Sequence, residues 1–96
     1  MSVEINLFGS LRYTAGTSKT DIDLPSGSTV YEVLRFVADI FGKEFKEELF
    51  LHDLSSLRDD VTIIVNGMIT RQSDILTGKI NDGAIISLLP VFPGGG

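Results

Sequence analysis

The residues Ser87 to Gly96 read SLLPVFPGGG: an apolar run, then Pro90, Val91, Phe92 and Pro93, then Gly94, Gly95 and Gly96. Glycines at an end pack nothing and cost backbone entropy to order. Two readings are open, an end of no consequence or an end whose α-carboxylate is the reactive group. A carboxylate is a poor electrophile, because its charge repels nucleophiles. Adenylation by ATP turns it into a mixed anhydride with a good leaving group. Sulfide or a persulfide can then attack to give a thiocarboxylate, and a lysine amine would instead give an isopeptide. Either route needs the carboxyl carbon of Gly96 delivered to an ATP α-phosphate inside another protein. Glycines suit a narrow channel, having no side chain to obstruct it.

The rest of the chain offers little competing chemistry. There are no cysteines, which excludes disulfides, thiolate metal sites, Cys-ligated clusters and a cysteine nucleophile. His52, the only histidine, has no marked nucleophile to pair with and reads as a surface loop residue. Asp53, Asp59 and Asp60 lack the spacing of a calcium loop. The segment KEFKEE reads as a charged helix face with internal pairing. Lys19 and Lys79 are acceptors for a conjugate only in the sense that any exposed lysine is. For Arg12, local pairing and a partner contact both stand open. No metal or bound cofactor is expected; ATP would be used by a partner enzyme.

Charge narrows the partners. The net charge is -5 with no Lys/Arg cluster, so nucleic acid is not an expected partner, whereas a basic protein surface would be steered toward this chain. No apolar run is long enough to span a bilayer, and MSVEINLFG lacks the basic region of a signal peptide, so no membrane association is expected. Absent disulfides suit a cytoplasmic protein.

Such a tail needs a rigid base. VEINLFG alternates with Val3, Ile5 and Leu7 on one face, and TDIDLP alternates with Ile22 and Leu24, a strand pair ended by Pro25. SLRYTAGTSK between them reads as a connection turning at Gly16. TVYEVLRFVADIFG predicts the main helix. Thr29 and Glu32 have capping-box spacing, Val30, Val33, Leu34, Val37, Ile40 and Phe41 form a stripe, and Gly42 ends it. Tyr31 and Phe36 fall off that stripe. KEFKEELF predicts a short second helix with Phe45 and Leu49 one turn apart, and LHDLSSLRDD a loop. VTIIVNGMIT predicts a hairpin with a type I′ turn at Asn66-Gly67. QSDILTGKINDG is turn-rich. AIISLLP is a nearly continuous apolar strand, which belongs in the middle of a sheet. Only one long helix is present and it covers one face, so the other face of that strand is expected to meet a partner. Strand, strand, helix, strand, short strand, strand is the order of an α+β β-grasp roll, with a mixed sheet and one main helix across one face. The expected division is a domain at 1–89 and an activation tail at 90–96. Pro90 to Gly96 spans at most about 23 Å when extended. Pro90 and Pro93 stiffen the exit, and Phe92 can anchor on a partner.

The ordered set of motifs resembles the ubiquitin-like sulfur carriers of the MoaD/ThiS family, most of all the small subunit of molybdopterin synthase. FGSLRYTAG resembles the family's aromatic-small-x-x-Arg segment, STVYEVL its helix start and VNG its hairpin. NDGAIISLLPVFPGGG resembles its Asp-Gly turn, last strand, Pro-rich break and glycine end. Residues 43–60 look like an expansion. The third glycine and the lack of ubiquitin's arginines before the glycines are departures. The resemblance implies a non-catalytic carrier with Gly96 as the loaded residue. Pro90, Val91, Phe92, Pro93, Gly94, Gly95 and Phe8 would meet its partners. Those partners would be an E1-like adenylating enzyme and the large subunit of molybdopterin synthase, with the sulfur ending in the dithiolene of the molybdenum or tungsten cofactor. A protein modifier joined to lysines through Gly96 uses the same activation. Thiamin and tRNA thiolation are further destinations, and an interaction module with an inert tail is the reading from another class.

Overall fold

Val3, Ile5 and Leu7 point one way from the first strand, and in the computed structural model, which describes residues 1–51, 57, 58 and 60–90, all three are buried. The elements are β1 (Ser2–Leu7), α1 (Gly9–Ala15), β2 (Lys19–Asp23), α2 (Val30–Phe41), α3 (Lys43–Leu49), β3 (Val61–Val65), β4 (Met68–Ile69), a 3-10 turn (Gln72–Asp74) and β5 (Ile85–Pro90). The sheet order is β2-β1-β5-β3-β4. β5 runs parallel to β1 and antiparallel to β3, so the last strand is the central one, as its apolar composition requires. With α2 packed over one face, this is the β-grasp, ubiquitin-like fold.

Each end of α2 is explained by its residues. The Glu32 N–H donates to Thr29 Oγ1 at 3.2 Å, and the Thr29 N–H donates to Glu32 Oε1 at 3.0 Å, a complete capping box. Gly42, at φ 98°, donates its N–H to the Ala38 carbonyl and accepts from the Lys46 N–H, ending α2 and starting α3. A side chain is unfavourable at that φ, and glycine removes the conflict. Val30, Val33, Leu34, Val37 and Ala38 are buried. The stripe is narrower than its spacing suggests. Phe41 is only partly buried against the core, and Ile40 is 51% exposed, because the helix turns Ile40 past the edge of the packed face. Of the two aromatics off the stripe, Tyr31 flanks the core edge-on to Phe50 at 5.8 Å, and Phe36 is exposed.

The expected connection at residues 10–19 is corrected. Residues 9–15 form helix α1, and Gly16, φ 77°, caps it with its N–H on the Arg12 carbonyl at 3.0 Å. Only Leu11 of α1 is buried, which leaves no helical periodicity to read. Tertiary contacts hold the helix instead: Leu11 sits in the core, and Thr14 Oγ1 donates to Glu48 of α3.

The described residues of the stretch expected to be an expansion, 43–51, 57, 58 and 60, contribute to the core. Phe45, Leu49, Phe50 and Leu57 are all buried, and Phe45 lies 5.2 Å from Phe41. Lys46 ties α3 back to Asp39 at 2.8 Å, and its hydrogen bond holds the Asp39 carboxyl below the ordinary carboxylate range. The pairing expected within KEFKEE is present as Lys43–Glu47 at 3.9 Å. In the β3–β4 hairpin Asn66 (φ 50°) and Gly67 (φ 83°) form the I′-type turn. Asn66 also clamps β5, with its N–H on the Ile85 carbonyl (2.8 Å) and its Oδ1 accepting from the Ile85 N–H (2.9 Å).

Truncating the α2 face tests this packing. Leu34→Ala should cost about 2–5 kcal/mol of stability in urea unfolding, and Val37→Ala less, since valine is the smaller loss. Ile40→Ala should stay within about 0.5 kcal/mol of the parent, as surface substitutions do. Equal losses at Leu34 and Ile40 would contradict the assigned face.

Candidate functional site

The place where the chain leaves the sheet is built by β5 and the turn between β1 and α1. At its start β5 is pinned to β1. The Ser2 N–H donates to Asp82 Oδ1 at 2.6 Å, and the Gly83 N–H donates to the Ser2 carbonyl at 2.7 Å. At its end Pro90 lies opposite Val61 of β3. Having no N–H, Pro90 donates nothing to the ladder, which suits a last residue. On the other flank the Phe8 N–H donates to the Leu88 carbonyl at 3.2 Å. Phe8 itself is extended, caps α1 and is 47% exposed. Phe8 and Pro90, two of the residues expected to meet a partner, are therefore brought together at one corner of the sheet. Val91, Phe92, Pro93, Gly94, Gly95 and Gly96 lie outside the described residues, as do His52, Asp53 and Asp59.

The sheet presents two unlike faces. Ile86 and Leu88 of β5 are buried, while Ile85, Ser87 and Leu89 face the other way and none of them is buried. In register with them on the outer face stand Thr62 and Ile64 of β3 and, beyond Ile64, Ile69 of β4. Ile85 and Ile69 are both strongly exposed. On the other side Glu4 and Asn6 lie opposite Ile85 and Ser87. Asn6 donates to Glu4 Oε2 at 3.1 Å and Lys19 approaches Oε1 at 3.2 Å. Those two hydrogen bonds, that from Asn6 first, hold the Glu4 carboxyl below the ordinary carboxylate range. The outer face thus grades from charged at β2 and β1 to apolar at β5, β3 and β4. This half-open apolar face is what the nearly continuous apolar strand anticipated.

Arg12 forms no side-chain pair among the described residues. It lines an open depression of about 440 Å³ with Tyr13, Gly16, Thr17 and Ser18. Asp60 accepts two hydrogen bonds from Arg58, each at 3.1 Å, and no group of ligating side chains that could hold a metal ion occurs among the described residues. No helix among the described residues is long and apolar enough to cross a membrane. Gly9, which follows Phe8 and starts α1, is a residue of this corner that the sequence reading passes over. The small position after the aromatic in FGSLR is the one signal that marks it.

Three solved structures illustrate what the chain is similar to. SAMP1 from Haloferax volcanii superposes with a TM-score of 0.85 at 24% identity, over 99% of this chain and 100% of that one, a likeness of fold. The small archaeal modifier protein 1 from Methanosarcina acetivorans is 28% identical, with a TM-score of 0.77 and coverage of 98% and 96%. A putative molybdopterin converting factor, subunit 1, from Pyrococcus furiosus is 25% identical, with a TM-score of 0.72 and coverage of 96% and 99%. The family model described as ThiS family matches residues 5–95. No curated protein sequence matches.

Neighbouring residues of β5 should respond in opposite ways. Ile86→Ala should cost about 2–5 kcal/mol, and Ile85→Ala under about 1 kcal/mol, because only the first vacates packed core. Comparable losses in chemical denaturation would show that the two faces are misassigned.

Proposed function

We propose, from the premise that the chain belongs to the ThiS family of ubiquitin-like sulfur carriers, that its working group is the carboxylate of Gly96. One observation carries this: the family match begins in β1 and runs to residue 95, through the Pro-rich break and into the glycines. A match confined to the folded domain would leave the tail unaccounted for. The activation is adenylation by a partner enzyme, with ATP giving an acyl adenylate and pyrophosphate. Sulfide-level sulfur then displaces AMP, and the carboxylate becomes a thiocarboxylate. The protein performs neither step; it presents the carbonyl carbon and carries the product.

The most specific destination is molybdopterin, with this chain as the small, non-catalytic subunit beside a large synthase subunit in the cytoplasm. The similarity to a putative molybdopterin converting factor subunit supports it. A second reading, conjugation to lysines through Gly96, is supported by the similarity to a small archaeal modifier protein. Both use the same adenylate, and they part only in the nucleophile. The exposed apolar strip of β5, β3 and β4, with Phe8, Pro90, Val91, Phe92 and Pro93, is the surface on which the adenylating enzyme and the synthase subunit would dock. An apolar strip beside the end of β5 would serve both partners, since each must hold the domain outside while taking the tail in.

Two measurements test this. Intact mass of protein purified from its own host should show one oxygen-for-sulfur exchange; adducts on lysines of other proteins would favour the modifier. A short tag fused after Gly96 turns its carboxylate into an amide. The fusion should keep its unfolding temperature and lose adenylation and sulfur loading. Mass must first exclude trimming back to the glycines. Sulfur transfer by a verified, untrimmed fusion would refute the carrier role of Gly96.

A further inference from the structure

Gly9 stands in the left-handed region, φ 58°, between the extended Phe8 and the rest of α1. Its α-carbon is also the floor on which the last residue of β5 rests. A Cβ built on Gly9 would lie 2.8 Å from Pro90 Cγ and 3.4 Å from Pro90 Cδ. The first distance is below any normal carbon contact. Because its ring is closed on the backbone nitrogen, Pro90 has no side-chain rotation by which to move aside and can give only by a change of ring pucker or by moving its backbone. Pro90 is held from both flanks, by Val61 across the ladder and by the bare backbone of Gly9, one residue after the Phe8 bond to the Leu88 carbonyl.

We propose that Gly9 is a positioning residue for the tail: the missing side chain lets Pro90 seat against the start of α1, and that seat sets the direction in which the chain leaves the sheet. Six residues follow Pro90, and their path begins wherever Pro90 is held. A side chain at Gly9 pushes on the ring, and the ring moves the backbone with it. The domain can then still dock on its partner, but the carboxyl carbon starts from the wrong place. Misplacement of a reacting atom by about 1 Å can cost roughly 10²-fold in rate. The proposal rests on the carrier reading above and adds to it a residue outside the tail.

Gly16 supplies the control. It too has a positive φ, 77°, but a Cβ there meets nothing within 4 Å. Gly9→Ala and Gly16→Ala therefore share the backbone penalty of a left-handed alanine. Only Gly9→Ala adds the collision with Pro90. In single-turnover adenylation with the cognate activating enzyme, Gly9→Ala should slow adenylate formation by tenfold or more at saturating enzyme. Its docking affinity should stay within about threefold. Gly16→Ala should lower the unfolding temperature and leave the adenylation rate unchanged. Pro90→Ala removes Cγ and Cδ, so in that background the Gly9→Ala effect should shrink to under about threefold, whatever Pro90→Ala does alone. An equal loss in both backgrounds, a rate unchanged by Gly9→Ala, or an equal loss from Gly16→Ala would overturn the proposal. The contact can also be read without any enzyme, as a nuclear Overhauser effect between Gly9 Hα and the Pro90 ring protons. Its absence from the wild-type protein would overturn the proposal as well. A wild-type protein that shows that contact but forms no adenylate would defeat the carrier reading and leave the geometry standing.

Discussion

The parallel pairing of β1 with β5 is the constraint on which the rest of this structure depends. Parallel neighbours cannot be joined by a tight turn, so the chain must leave the sheet and come back. Everything between the two strands is that return path. β2 closes one edge, α2 crosses the inner face, and β3 with β4 forms the other side. Hence the strand that precedes the tail occupies the middle of the sheet, with hydrogen-bonded neighbours on both sides. It is clamped at its start by Asp82, Gly83 and Asn66 and at its end by Phe8. A terminal segment issuing from an edge strand would fray with that edge. One issuing from the central strand starts from a firm point.

Coverage by helices on one face alone decides how the sheet is used. The inward side chains of the four longer strands, β1, β2, β3 and β5, merge with α1, α2 and α3 into one core. The outward ones stay half-open, and they divide by charge. Glu4, Asp21 and Asp23 give the β1–β2 side its acidity, while Ile85, Leu89, Ile64 and Ile69 make the other side apolar. The apolar half lies next to the exit. An apolar strip left open on a small domain costs solubility, which the surrounding acidic side chains offset.

The short helices are less independent than their length suggests. Helices of seven residues are not stable by themselves, because nucleation is costly and few internal bonds form. α1 and α3 persist because Leu11, Phe45 and Leu49 are buried and because Thr14 bridges to Glu48. α1 thereby has two duties. It completes the core through Leu11, and through Phe8 and Gly9 it frames the end of β5.

Local chemistry was legible in the sequence wherever it is complete within a few residues. The capping box of Thr29 and Glu32, the Asn66-Gly67 turn, the break at Gly42 and the alternation of Val3, Ile5 and Leu7 each carry their own physics, and each appears as expected. The centrality of β5 was legible too, since a strand apolar on both faces has few other places to be. The glycine tail is where the sequence itself points to a reactive carboxylate, the reading on which the proposed function rests. Helix α1 was not legible, because one buried leucine makes no periodicity and its stability comes from α3. Ile40 reads as core by spacing, yet the angle at which α2 lies on the sheet turns it outward. Gly9 was hidden for a stronger reason. Its importance is the absence of a side chain opposite Pro90, a residue 81 positions further along the chain. Only the fold brings those two together, because the parallel return of β5 has to be closed before the first turn of the chain and its last strand can touch.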